Sequence, residues 1–160
     1  MNFHFDVVLF EPEIPPNTGN VGRLCVGTQS TLHLIEPLGF DIDAKAVRRA
    51  GLDYWKWVDL KVHKDWDAFL EWRTQERPEL PLFFIETWGD QSLYETRLPQ
   101  ACALIFGKET TGIPQSLFQK ERGDYAVTVP MFSEHIRSLN LSNTVSLVLY
   151  EGIRQALQSS

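Results

Sequence analysis

Short uninterrupted apolar runs constrain the fold of this chain more than any other feature of its sequence. Five such runs are candidate strands: Phe5–Glu11, Leu32–Glu36, Leu82–Glu86, Ala101–Phe106 and Ala126–Val129. A half-exposed strand alternates apolar and polar residues, whereas a strand covered by helices on both faces loses that alternation. The runs therefore predict an α/β fold with a mainly parallel sheet sandwiched between helices.

Segments with helical spacing separate these runs. Pro15-Pro16 and the polar residues after them predict a helix start, and Val21, Leu24 and Cys25 then recur at helical spacing. Further helices are predicted over Ala44–Ala50, Asp65–Arg73, Gln115–Lys120 and Ser142–Leu157. In the last of these helices the apolar residues cover more of the circumference than the single stripe that packing on the core needs. This indicates a second apolar contact surface, such as a subunit interface.

Length and composition predict one globular domain over residues 1–160, because the chain has 160 residues and 43% of them are hydrophobic. No apolar stretch approaches the roughly 20 residues of a membrane helix, and the N-terminus lacks secretory-signal features, so a cytoplasmic location is expected. Cys25 and Cys102 lie in apolar segments and are interpreted as buried reduced thiols. The four histidines show no metal-site spacing, so no metal is expected.

The charge distribution leaves two interpretations open. The net charge of −6 argues mildly against a nucleic-acid partner. The segment from Lys45 to Lys64, however, contains six basic residues and only two acidic ones. This run is either the solvated face of a helix or a phosphate-contacting patch in which Tyr54, Trp55 and Trp57 offer stacking surfaces.

Three segments that follow strands are rich in Gly, Asn and Ser. They are Asn17–Arg23, Phe106–Pro114, and Val129–Met131 together with Arg137–Thr144. Ligands of parallel α/β sheets bind at the carboxyl ends of strands, so these segments are candidate binding loops. Each by itself is typical of a loop or a helix cap. The second lacks the order Gly-x-x-x-x-Gly-Lys-Ser/Thr, which excludes a P-loop nucleoside triphosphatase.

Taken together, the three segments carry the ordered motifs of one family. Asn-x-Gly-x-x-x-Arg, Phe-Gly-x-Glu-x-x-Gly-Ile-Pro, and Pro-Met with Ser-Leu-Asn-Leu-Ser-Asn resemble the motifs of the SPOUT-class RNA 2′-O-ribose methyltransferases. Within that class, Leu9–Asn20, Leu34–Phe40 and Arg49–Tyr54 look like the TrmL (YibK-like) subfamily, which modifies the wobble nucleotide of tRNA. The resemblance runs from about Val7 to about Leu157.

The resemblance implies an α/β sheet with a C-terminal deep trefoil knot, and a homodimer. Connection rules alone predict an unknotted doubly wound sheet. The implied cofactor is S-adenosylmethionine, with S-adenosylhomocysteine as product and no metal. The implied substrate is the anticodon stem-loop of tRNA-Leu isoacceptors, methylated on the ribose 2′-hydroxyl of cytidine or 5-carboxymethylaminomethyluridine at position 34.

The resemblance also implies site residues. It places Arg23 at the catalytic centre, and because guanidinium stays protonated, we expect Arg23 to orient the ribose or phosphate and not to act as a base. The implied cofactor-binding residues are Ile85, Gly107, Val129, Met131, Ser138 and Leu139. The implied supporting polar residues are Asn17, Glu109, Asn140 and Asn143. The predicted RNA-binding residues are Arg137 in the third loop and Lys45, Arg48 and Arg49 of the basic run.

Three positions of the second segment, Phe106–Pro114, carry specific expectations. Glycine at position 107 is expected to let the backbone approach the ligand closely. Glu109 is expected to pin loop donors, with proton acceptance as the alternative. Thr111 stands where relatives often carry arginine, which weakens any basic RNA contact from this loop.

Two other functions are weighed against this one. A small dinucleotide-binding domain would need Gly-x-Gly-x-x-Gly after the first strand, where this chain has Glu11–Pro16. A SPOUT relative that binds RNA without modifying it, or methylates another RNA site, shares the same motifs.

Overall fold

The computed structural model describes residues 3–43 and 53–159. Its strands are β1 (His4–Phe10), β2 (Thr31–Ile35), β3 (Leu60–His63), β4 (Leu82–Ile85), β5 (Gln91–Ser92), β6 (Ala101–Phe106) and β7 (Tyr125–Thr128). Its α-helices are α1 (Pro15–Thr28), α2 (Trp66–Glu76) and α3 (Leu141–Gln158). The helix predicted over Ala44–Ala50, with Lys45, Arg48 and Arg49, lies outside the described residues.

In the described part of the chain the strands form one sheet in the order β3-β2-β1-β6-β4-β7-β5, and neighbouring strands run parallel. The predicted parallel α/β sheet is thus confirmed. β3 and β5 were not predicted. β3 has the sequence Leu-Lys-Val-His, in which apolar and polar residues alternate, and β5 has only two residues, so neither forms an apolar run that the sequence reveals.

Apolar cores lie on both faces of the sheet, which explains why the strand sequences do not alternate. Val7 and Leu9 of β1 pack in the core that also contains Val145 of α3. Val8 packs on the opposite side, in the core that contains Phe69 of α2. Successive side chains of a strand point to opposite faces, so a strand covered on both faces is apolar at every position.

The predicted helix over Gln115–Lys120 is wrong. The structure has short 3₁₀ helices at Gln115–Leu117 and Lys120–Arg122 instead. Phe118 between them has an extended backbone, with φ −74° and ψ 129°. This conformation ends the first turn and places the Phe118 ring edge-on against Phe84 and Trp88.

The cysteines and histidines mostly have structural roles, as the sequence indicated. Cys25 and Cys102 are buried free thiols. His33 is buried between Asp6 and His63, with ring nitrogens 3.0 Å from Asp6 Oδ1 and 2.9 Å from His63 Nε2. His4 Nε2 lies 3.0 Å from the Thr31 hydroxyl. In residues 3–43 and 53–159, no group of three or more His, Cys, Asp or Glu side chains could hold a metal ion.

Among the helices that the structure describes, none combines the length and the apolar character that crossing a bilayer requires.

Candidate active site

A cavity of about 480 Å³ opens at the carboxyl ends of the neighbouring strands β6, β4 and β7. This is the edge at which parallel sheets bind ligands. All the residues expected to bind the cofactor line it: Ile85, Gly107, Val129, Met131, Ser138 and Leu139. Four further predicted residues also line it: Asn17, Glu109, Arg137 and Asn140.

Three chain segments enclose this cavity, and we name them by position. The β1–α1 loop is Glu11–Ile14, the glycine loop is Gly107–Gly112, and the C-terminal loop is Val129–Asn140. The predicted loop over Asn17–Arg23 is part of α1, which already begins at Pro15. Proline suits the first helical turn because its missing N–H is not needed there, so the helix starts before the polar residues.

Asn17, on the first turn of α1, connects the glycine loop to the C-terminal loop. Its amide Nδ2 donates to Glu109 Oε1 at 3.1 Å, and its Oδ1 accepts from Asn140 Nδ2 at 3.1 Å. Asn140 Oδ1 in turn accepts from the backbone N–H of Ser142 at 2.9 Å and caps α3. Asn17 therefore holds the mouth of the cavity together and does not cap its own helix.

Glu109 is fully engaged by donors from the β1–α1 side. Its carboxylate accepts the backbone N–H groups of Glu13 at 2.8 Å and Ile14 at 3.0 Å, besides the amide of Asn17. Burial by itself would raise the pKa of Glu109, but these hydrogen bonds outweigh it and leave the pKa below its ordinary value. Such a carboxylate is ionised at neutral pH and suited to pinning loops.

Two further contacts join the glycine loop to the β1–α1 loop. Lys108 Nζ donates to Glu11 Oε2 at 2.7 Å, and the Thr110 hydroxyl donates to Glu13 Oε1 at 2.6 Å. These contacts cross about a hundred residues of sequence, and pattern reasoning gives no signal for them. They hold the glycine loop against the residues that directly follow β1.

Gly107 is required by the loop itself, which is a reason for glycine that the sequence did not reveal. A Cβ at this position would lie 2.2 Å from the backbone C of Gly112 and 2.2 Å from the backbone N of Ile113. It would also lie 2.4 Å from Glu86 Oε1. The missing side chain lets the loop close on its own backbone, which forms the wall of the cavity.

Glu86 is a cavity residue that sequence reasoning missed, because it was counted as the last residue of a strand. It directly follows β4 and lines the cavity. Its Oε1 accepts the backbone N–H of Ile113 at 2.7 Å. Burial raises the pKa of Glu86, and backbone hydrogen bonds from Ile113 and Thr87 partly offset the rise. The signal was available: a carboxylate at the carboxyl end of a central parallel strand.

Arg23 lies outside the residues that line the cavity. It is exposed on α1, with its guanidinium 5.5 Å from the centroid of the Tyr54 ring. The Tyr54 hydroxyl donates to the backbone carbonyl of Gly19 at 2.6 Å, which fixes the ring beside the same helix. The arginine is thus presented to solvent on an aromatic platform.

Asn143 and the aromatic residues of the basic segment also lie away from the cavity. Asn143 is exposed on the first turn of α3. Trp55 packs against α1 beside Gly22, whereas Trp57 is 70% exposed. Of the stacking surfaces that the sequence offered, Trp57 is the exposed one, and Tyr54 and Trp55 are partly buried.

The architecture and the cavity define a class of protein. A solved structure described as giving insight into "the 2-OH methylation of C/U34 on tRNA" superposes with a TM-score of 0.85 at 37% identity, covering 99% of each chain. The SpoU methyltransferase AviRb from Streptomyces viridochromogenes, solved with AdoMet, shares the fold with a TM-score of 0.79 at 22% identity over 96% of this chain and 60% of its own.

Sequence comparison gives the family. Residues 4–150 match the SpoU rRNA Methylase family, and the chain belongs to this family of methyltransferases. It is 45% identical to a tRNA (cytidine(34)-2′-O)-methyltransferase from Saccharophagus degradans over 151 residues, which cover 94% of this chain and 95% of that relative.

Proposed function

We propose that this chain is an S-adenosylmethionine-dependent methyltransferase that methylates the ribose 2′-hydroxyl of nucleotide 34 in tRNA. The observation that carries the proposal is the cavity at the ends of β6, β4 and β7, lined by every residue expected to bind the cofactor. The names and descriptions of similar proteins support the same reaction.

The cavity fits this cofactor. Its volume of about 480 Å³ lies within the range of about 300–1,000 Å³ that small-molecule sites occupy. Apolar Ile85, Val129 and Leu139 suit the adenine and the methylene groups, while the polar loops offer backbone donors and acceptors. When bound, S-adenosylmethionine supplies an activated methyl group on a positively charged sulfur.

Methyl transfer to a hydroxyl is an in-line displacement, so the protein contributes mainly by positioning. The hydrogen bonds that join Asn17, Glu109 and Asn140 hold the loops around the cofactor. Arg23, charged and exposed, orients the ribose or the adjacent phosphate with its forked donors and stabilises negative charge on the oxygen. Glu109 acts through the loops and not as the proton acceptor.

The substrate side of the proposal extends to tRNA and to a second subunit. Arg137, exposed in the C-terminal loop, contacts RNA phosphate, and so do Lys45, Arg48 and Arg49. A homodimer covers the exposed apolar residues of α3, among them Tyr150 and Leu157, which are 56% and 63% exposed. The trefoil knot, a single domain over residues 1–160 and a cytoplasmic location belong to the same proposal.

The finer substrate is cytidine or 5-carboxymethylaminomethyluridine at the wobble position of tRNA-Leu isoacceptors. Mass spectrometry of nucleosides from a strain without this protein tests it, and we expect the wobble 2′-O-methyl group to disappear from these tRNAs. A wobble methyl group that persists rejects the substrate. Calorimetry that detects no binding of S-adenosylmethionine, with or without tRNA, would instead favour an RNA-binding protein without catalysis.

A further inference from the structure

Glu86 is one of two carboxylates that line the cofactor cavity, and it takes no part in the hydrogen bonds that join Asn17, Glu109 and Asn140. Glu86 directly follows β4, the strand between β6 and β7, and lines the cavity. The other cavity carboxylate, Glu109, is occupied by three donors. Glu86 Oε1 accepts the backbone N–H of Ile113 at 2.7 Å.

The glycine loop is built around this carboxylate. A Cβ on Gly107 would lie 2.4 Å from Glu86 Oε1. A Cβ on Gly112 would lie 2.6 Å from Oε1 and 2.9 Å from Oε2, and the φ of Gly112 is +70°. Both ends of the loop therefore need glycine where they pass the Glu86 side chain, which fixes the carboxylate in place.

Within residues 3–43 and 53–159, the carboxylate has no counter-charge at ion-pair distance. The ion pairs of the described residues do not include Glu86. Lys108, the amine closest to it along the glycine loop, is paired with Glu11 at 2.7 Å. A half-buried carboxylate is disfavoured without a cation, and the raised pKa of Glu86 reflects that desolvation. A cationic ligand would restore the balance.

We propose that Glu86 contacts the bound methyl donor and holds its positively charged sulfonium end, so that the pocket prefers the charged donor to the neutral product. This inference rests on the proposed function. S-adenosylmethionine and S-adenosylhomocysteine share the adenosine, the amino group and the carboxylate, and they differ by one methyl group and one positive charge at sulfur. A fixed carboxylate near that sulfur distinguishes the two ligands by charge.

Titration calorimetry on the full chain tests the proposal, with S-adenosylmethionine and S-adenosylhomocysteine as separate probes. Glu86→Gln keeps the side-chain length and an oxygen for the N–H of Ile113, but removes the charge. We expect its affinity for S-adenosylmethionine to fall about tenfold and its affinity for S-adenosylhomocysteine to change less than about twofold. Glu86→Asp keeps the charge and is expected to retain the preference for the donor.

The control variant is Glu71→Gln, which removes an equal charge from the exposed surface of α2. We expect it to match the unmodified protein with both ligands. Equal weakening of both ligands in Glu86→Gln, or no weakening, overturns the inference while leaving the proposed function intact. An unmodified protein that binds neither ligand overturns the proposed function and the inference together. If thermal melting shows that Glu86→Gln is unfolded, loss of the donor preference in Glu86→Asp overturns the inference.

Discussion

Replacing Gly107 with alanine separates two explanations of this glycine. If the glycine loop must close on itself, the added methyl group collides with backbone atoms at 2.2 Å, far inside ordinary van der Waals contact. The loop backbone cannot move away from the added methyl group without losing hydrogen bonds, because Glu109 and Lys108 bind it to the β1–α1 loop. We expect Gly107→Ala to lower the free energy of unfolding by about 2–3 kcal/mol, the upper part of the usual overpacking range.

Gly27 on α1 provides the matched control. A Cβ at Gly27 meets nothing within 4 Å, and alanine is favoured over glycine in helices by about 1 kcal/mol. Gly27→Ala is therefore expected to leave stability unchanged or raise it. Urea denaturation followed by tryptophan fluorescence measures both variants. A Gly107→Ala protein with unaltered stability but weakened S-adenosylmethionine binding would refute the loop-closure argument and restore direct ligand approach as the reason.

Three further predictions follow from the site and the core. Arg23→Lys keeps the positive charge but loses the forked donors of the guanidinium group. We expect kcat to fall at least about tenfold and the affinity for S-adenosylmethionine to stay unchanged. Turnover at the wild-type rate would contradict the orienting role of Arg23. Glu109→Gln places an amide NH₂ group against the N–H donors of Glu13, Ile14 or Asn17. We expect the free energy of unfolding to fall by about 1–3 kcal/mol and the pH–rate profile to keep its shape. Loss of one limb of that profile would instead identify Glu109 as a proton acceptor. Desolvation lowers the pKa of His63 to about 4, below the ordinary value that this histidine has in the unfolded chain. On acidification His63 is therefore protonated first in the unfolded chain, and the free energy of unfolding falls by about 2 kcal/mol between pH 7 and pH 5. Denaturation at both pH values should show this loss in the unmodified protein and a smaller one in His63→Asn; equal losses would contradict the assignment.

Much of the architecture could be predicted because it depends on local and periodic features. The strands with continuous apolar sequences were found because each is buried by helices on both sides, as Val7 and Val8 show in opposite cores. The last helix was found because Val145, Val148 and Leu149 recur at helical spacing and face one core. The positions at the carboxyl ends of strands then indicated where a ligand binds.

The interactions that hold the site together could not be predicted in this way. The bonds from Asn17 to Glu109 and Asn140 join residues 92 and 123 positions apart, and no periodicity reports such distances. The helix predicted after Pro114 is absent because Phe118 has an extended backbone, with its ring packed on Phe84 and Trp88, which are distant in sequence.

The amino-acid order by itself determined the apolar strands, the three described α-helices and the loops that carry chemistry, because continuous burial, helical spacing, prolines and motif residues are properties of short stretches. Only the tertiary structure shows that Gly107 closes the glycine loop on itself and that Arg23 lies outside the cavity lining. It also shows that Glu86, in the cavity wall, forms no ion pair with a Lys or Arg of the described residues. Those facts depend on which distant backbones come within a few ångströms of each other, and packing alone sets those distances.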